Sequence, residues 1–116
     1  DLRFPVWCRN VSNEYDLIIA VANWPRPRRE VFRTLLRARA MENLSYVIGV
    51  NRVGEDPNRL VYSGDSVIID PRGKALIEAE EGVEAVITTT LDYAPLQDLR
   101  QKFPVWADAD PFLLQI

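Results

Sequence analysis

Three groups of residues in this chain could do chemistry: Arg3, the Asn23-Trp24-Pro25 run, and Arg39 with Glu42 and Asn43. The guanidinium of Arg3 can clamp a carboxylate through two parallel hydrogen bonds. It can equally pair with a carboxylate of its own chain, such as Asp1. Asn23 and Trp24 follow an apolar run, and α/β proteins place ligands at strand ends. A rigid aromatic wall with an amide beside it suits a small polar pocket. The alternative is a strand-ending turn with Trp24 packed in the core. Arg39, Glu42 and Asn43 share a helical face with Phe32, Leu35 and Leu36. Removing one partner of a buried ion pair costs about 3–5 kcal/mol. Arg39 and Glu42 are therefore expected to pair with each other or with groups on an adjoining layer. That cluster reads either as a core ion pair that orients elements or as polar support under a site. The single cysteine, Cys8, has Arg3 and Arg9 nearby in sequence but no histidine to activate it, and is not assigned as a nucleophile.

Composition narrows the chemistry. The chain has 116 residues, room for one small domain, and its apolar share of 47% is ordinary for a globular core. A net charge of -3 argues against a nucleic-acid surface, which needs a basic excess. Apolar runs such as Leu17–Ala22 are too short to span a membrane. With no histidine, the chain alone cannot build a Ser-His-Asp triad, a Cys-His pair or an ordinary zinc site. One cysteine cannot form an internal disulfide, which suits a reducing, cytoplasmic setting.

The elements that must position these residues follow from periodicity. Residues 3–14 read as a short helix or irregular turn. Asp16–Ala22 is a nearly unbroken apolar run rich in β-branched residues, the pattern of a strand buried on both faces. Pro25 and Pro27 stop it. Arg28–Leu44 is the longest helix, with Arg29, Arg33 and Arg37 on one solvated face. Ser45–Arg52 is the next strand, residues 54–59 form a turn, and Leu60–Tyr62 is a short extended piece. Ser66–Asp70 and Ala75–Ala79 flank Pro71-Arg72-Gly73-Lys74 as a hairpin. Glu84–Leu91 alternates partly and is expected to be a fifth strand. Tyr93–Phe103 reads as a helix with Pro95 in its first turn, and residues 104–116 as an arm. The sum is an α/β (α+β layered) fold.

Asp1-Leu2-Arg3-Phe4-Pro5 resembles the end of the nucleophile motif of the carbon-nitrogen hydrolase (nitrilase) superfamily, Cys-Tyr-Asp-x-Arg-Phe-Pro. Asn23-Trp24-Pro25, Arg39-Ala40-x-Glu42-Asn43, Asn51-Arg52-Val53-Gly54, Gly64-Asp65-Ser66 and Asp70-Pro71-x-Gly73 resemble further segments of it, in order. The resemblance runs over nearly the whole chain and is strongest toward bacterial omega-amidase-like members.

The resemblance implies that residues 1–116 are the C-terminal half of one αββα four-layer sandwich domain, completed by an N-terminal half and doubled in a homodimer. It implies no catalytic residue within this chain. The family's Glu base, Lys for the oxyanion and Cys nucleophile would all precede Asp1, so the chain alone is expected to be inactive. Arg3 would lie four residues after the nucleophile, on its face of a helical turn, and with Asn23 and Trp24 would bind substrate. Asp1, Arg39, Glu42 and Asn43 would support the site. The implied reaction is hydrolysis of a small dicarboxylate monoamide, such as 2-oxoglutaramate, through a cysteine thioester with ammonia released, needing no metal or organic cofactor. The alternatives are a noncatalytic fragment or assembly module, and another nitrilase branch acting on nitriles or carbamoyl groups.

Overall fold

In the computed structural model, which describes residues 1–115, a helix lies on one face of a mixed sheet. Strand β1 (Leu17–Ala22) runs into helix α1 (Arg29–Asn43) and returns as strand β2 (Tyr46–Asn51), parallel to β1. A three-residue 3-10 turn, Arg26–Arg28, leads into α1. Strands β3 (Val53–Glu55) and β4 (Val61–Ser63) form a separate two-stranded ribbon. Strands β5 (Val67–Ile69) and β6 (Ala75–Glu78) then complete the main sheet, antiparallel, in the order β1-β2-β5-β6. Helix α2 (Tyr93–Lys102) and an arm containing a 3-10 turn at Val105–Asp108 follow.

The core lies between α1 and one sheet face. Phe32, Leu36 and Ala40 of α1 are fully buried against Val47, Val67 and Ile69, with Ile18, Ala20 and Ala22 of β1 packed alongside. The approach is close at Gly49, where an added Cβ would stand 2.4 Å from a methyl of Leu36. Glycine there lets the helix settle onto the sheet.

Helix α1 ends because Leu44 adopts a left-handed conformation (φ 42°), and the Ser45 N–H closes back on the Ala40 carbonyl. Arg100 of α2 stitches this corner together. It donates to the carbonyls of Leu44 (3.0 Å) and Tyr15 (2.8 Å) and pairs with Asp16 at 2.5 Å. α2 is thereby tied to the start of β1 and to the junction of α1 and β2.

Four expectations are corrected. Strand β1 is covered on one face only, because α1 packs on one side of the sheet and the other side, though covered at Tyr46 and Ile68, is left open along β1. Ile19 and Val21 are 59% and 80% exposed. Residues 84–91 are not a strand: no neighbouring strand offers a hydrogen-bond ladder there, and Val86 is 96% exposed. The turn placed at 54–59 begins later, since Gly54 and Glu55 pair with Tyr62 and Val61. Finally, Arg29 and Arg33 are not simply solvated. They are half-buried and share Asp65 as an ion-pair partner, at 2.6 and 3.6 Å. Arg37 alone of the three is exposed.

Candidate functional site

The site is built where β1 and β2 end side by side. Ala22 and Asn51 are register partners, and two residues past Ala22 the chain turns at Trp24. The Asn51 side chain bridges this gap. Its Oδ1 accepts the Trp24 N–H (2.8 Å), and its Nδ2 donates to the Trp24 carbonyl (2.8 Å). The amide acts as one more rung of the parallel ladder, at a position where β1 has already ended. Ser66, at the start of the next strand, accepts the Asn51 N–H with its hydroxyl (3.0 Å) and donates to the Asn51 carbonyl (3.3 Å).

Trp24 is held from its ring as well. The indole N–H donates to the Arg28 carbonyl (2.7 Å), and the ring packs against Phe32 with centroids 5.5 Å apart. Trp24 packs against the helix–sheet core, and its ring also faces a cation. The Arg3 guanidinium carbon lies 4.9 Å from the ring centroid. Such a contact contributes about 0.5–1 kcal/mol at an exposed site. Arg3 is exposed, and no described carboxylate forms an ion pair with it, Asp1 included. Its fork of donors faces outward from a rigid aromatic platform. Asn23, which precedes Trp24, is exposed, with no side-chain hydrogen bond among the described residues. Asp1 is exposed and contributes its backbone carbonyl, which receives the Phe4 N–H at 2.9 Å.

The second group meets the first through one peptide. Arg39, 3% exposed, donates from Nη2 to the carbonyl of Leu2 (2.5 Å), the peptide that continues into Arg3. Its Nη1 pairs with Glu42 at 2.9 Å. The Glu42 side chain stays partly in solvent, so this pair is buried at one end only. Asn43 donates to the Arg39 carbonyl (3.0 Å) and accepts the Asn10 N–H (2.8 Å). Asn10 in turn donates to the Tyr15 carbonyl at 2.8 Å, and the Tyr15 hydroxyl donates to the Cys8 carbonyl. Burial, then the proximity of Cys8 and Glu42, pushes the Tyr15 hydroxyl up to about 12, so it stays a proton donor. Residues 1–10 are thus fastened to the end of α1 at both Leu2 and Asn10.

Two other features lie apart from the Arg3–Trp24 pair. A cavity of about 360 Å³ between residues 5–10, the end of α1 and the arm is lined by Val6, Asn43, Trp106 and Phe112, among others, and does not include Arg3, Asn23 or Trp24. At the other end of α1, Asp65 gathers Arg29, Arg33 and the Ser63 hydroxyl, the last at 2.5 Å. Burial alone would raise the Asp65 pKa. The hydrogen bonds from Arg29 and Ser63, with the charges of Arg29 and Arg33, outweigh it and hold the carboxyl below its ordinary value. No group of three metal-ligating side chains occurs among the described residues, and no helix there is long and apolar enough to cross a membrane.

Asn51, Ser66, Asp65, Asn10 and Arg100 were not singled out by residue type. The only signal in the sequence was that Asn51 and Asp65-Ser66 sit in segments resembling family motifs. Their partners lie far away in sequence, so nothing local reveals what they hold.

The layered fold and the motif-bearing strand ends define a hydrolase class: the chain belongs to the carbon-nitrogen hydrolase family, whose pattern matches residues 1–101. Within it, the chain is similar to omega-amidases. It is 51% identical over 98% of its length to omega-amidase YafV of Escherichia coli strain K12, covering 44% of that protein. It is 40% identical over 93% of its length to a 2-oxoglutaramate amidase of Paenarthrobacter nicotinovorans, covering 36% of it. The crystal structure of XC1258 from Xanthomonas campestris, a CN-hydrolase superfamily protein with an arsenic adduct in its active site, superimposes with a TM-score of 0.94. That match has 48% identity and covers 99% of this chain and 46% of that one. The chain spans less than half the length of these relatives.

Proposed function

We propose that this chain is the C-terminal part of an omega-amidase-type carbon-nitrogen hydrolase domain. The full protein hydrolyses the amide of a small dicarboxylate monoamide such as 2-oxoglutaramate. The observation that carries this reading is the Arg3 guanidinium, stacked on Trp24 and free of any described carboxylate partner. An anionic group delivered to that fork gains two charge-assisted hydrogen bonds. Similarity to omega-amidases and a 2-oxoglutaramate amidase supports the same substrate class.

In this reading the nucleophilic cysteine lies two residues before Asp1, and the glutamate base and oxyanion-binding lysine lie further upstream. The thiolate adds to the amide carbonyl, the C–N bond breaks, and the nitrogen leaves as ammonia after gaining a proton from the glutamic acid. Water, deprotonated by the same glutamate, then hydrolyses the thioester and returns the cysteine. Arg3 and Trp24 fix the far carboxylate so that the amide carbon meets the sulfur. Asn23 binds the same substrate, while Arg39, with Glu42 and Asn43, holds the Leu2–Arg3 peptide in place, and Asp1 closes the turn through Phe4.

The uncovered sheet face, with Ile19, Val21 and Val50 exposed, is where the N-terminal half of the same domain packs. The exposed Trp106, Phe112 and Leu114 of the arm support a homodimer, and the cytoplasm is the proposed compartment.

The test is Arg3→Ala in the full-length protein. Transition-state stabilisation of the carboxylate substrate should fall by about 1.5–3 kcal/mol, seen as a loss in kcat/KM. A neutral amide of the same length should be nearly unaffected. Equal losses on both would remove the carboxylate assignment.

A further inference from the structure

We infer that Asn51 is a positioning residue for substrate selectivity: its side-chain amide fixes the Trp24 platform, and through Trp24 the direction of the Arg3 guanidinium. The inference rests on the proposed carboxylate-binding role of Arg3.

Little else holds the Trp24 backbone. Pro25 follows Trp24 and carries no N–H, so the main chain cannot carry a strand ladder onward there. β1 ends at Ala22, and the Trp24 peptide groups lie past the last register pair. Both the N–H and the C=O of Trp24 are instead taken by one planar side chain, each at 2.8 Å. Among side chains of this length, only an amide presents an acceptor and a donor in the same plane at this spacing. Asn51 is itself fixed by Ser66, whose hydroxyl bonds both its N–H and its carbonyl. The order of dependence is Ser66, Asn51, Trp24, Arg3. Arg3 carries the charge that meets the substrate carboxylate, and a small rotation of the ring beneath it would swing the guanidinium off line. Misplacement of this kind lowers rate well beyond the energy of the lost contact.

The experiment is a double-mutant cycle in the full-length protein, measuring KM and kcat for 2-oxoglutaramate and for a neutral amide of equal length. Asn51→Ala is expected to raise KM for the anionic substrate about tenfold and to change kcat/KM for the neutral one by no more than about twofold. In the Arg3→Ala background, Asn51→Ala should add no more than about twofold for either substrate, because the effect passes through Arg3. Asn51→Asp keeps the acceptor for the Trp24 N–H but loses the donor to its carbonyl, and should lose selectivity in the same direction. Equal losses on both substrates, or full additivity with Arg3→Ala, would overturn the inference, as would failure of both Asn51 variants to fold. If Arg3→Ala discriminates between the substrates and Asn51→Ala does not, this inference alone falls. If Arg3→Ala itself shows no discrimination, the carboxylate assignment falls with it.

Discussion

Arg39 carries a full charge at 3% exposure, and what it holds is a backbone carbonyl two residues into the chain. Its helical-wheel position among apolar residues already demanded a partner, and Glu42 was the one in reach. That the other end would be Leu2 was not readable, because a carbonyl leaves no mark in a sequence. Arg39→Leu keeps the volume roughly but leaves the Leu2 carbonyl and Glu42 without their donor. It is expected to destabilise the full-length protein by about 3 kcal/mol, measured as a shift in the urea midpoint. Asp65 makes a pH-dependent case. Its folded pKa lies below the unfolded value of about 3.9, so its contribution is complete above that value and is lost as pH falls through the folded pKa. Asp65→Asn should therefore cost about 2–3 kcal/mol near pH 7, since Arg29 stays partly solvated, and the gap to wild type should close below about pH 4. Urea melts at several pH values check this; a gap that persists unchanged at low pH would contradict it.

At the scale of elements, local chemistry decided most boundaries. The two prolines after Asn23-Trp24 ended β1, and the helical periodicity from Arg29 gave α1 its length. Asp70-Pro71-Arg72-Gly73 closed the β5–β6 turn, with the Asp70 carboxylate accepting the N–H groups of Arg72 (2.8 Å) and Lys74 (3.0 Å). Local sequence pattern does not reveal pairing that is tertiary. Residues 84–91 have strand-like alternation but no neighbour, and the three-residue strands β3 and β4 are too short to carry a periodic signal. Helix α1 approaches β2 closely at Gly49. Leu36 has no exposed side to retreat toward, so Gly49→Ala must displace it. The expected cost is about 1–3 kcal/mol, the usual range for overpacking, read from the melting temperature of the full-length protein. No loss of stability would mean that helix and sheet are less closely seated than described.

The whole chain is a slab, 46 × 39 × 18 Å, with a radius of gyration of 15.5 Å. A compact domain of similar length has a radius of about 13 Å. The excess reflects one sheet with its α1 layer on one side and, on the other, an apolar face open at Ile19, Val21 and Val50, which agrees with the chain spanning less than half of its relatives. The β-branched richness of β1 pointed to burial on two faces, and within this chain only one is covered. Residues 1–116 expressed alone should bind a hydrophobic dye strongly and aggregate, while the full-length protein should do neither. A soluble, dye-silent fragment would contradict the proposed role of the open face. The central claim, that this chain belongs to an enzyme cleaving dicarboxylate monoamides, is tested most directly by ammonia release from 2-oxoglutaramate by the full-length protein. Saturable release is expected, and it is expected to be lost when the cysteine proposed to lie two residues before Asp1 is replaced by alanine. With that cysteine intact, no release from any short dicarboxylate monoamide would contradict it.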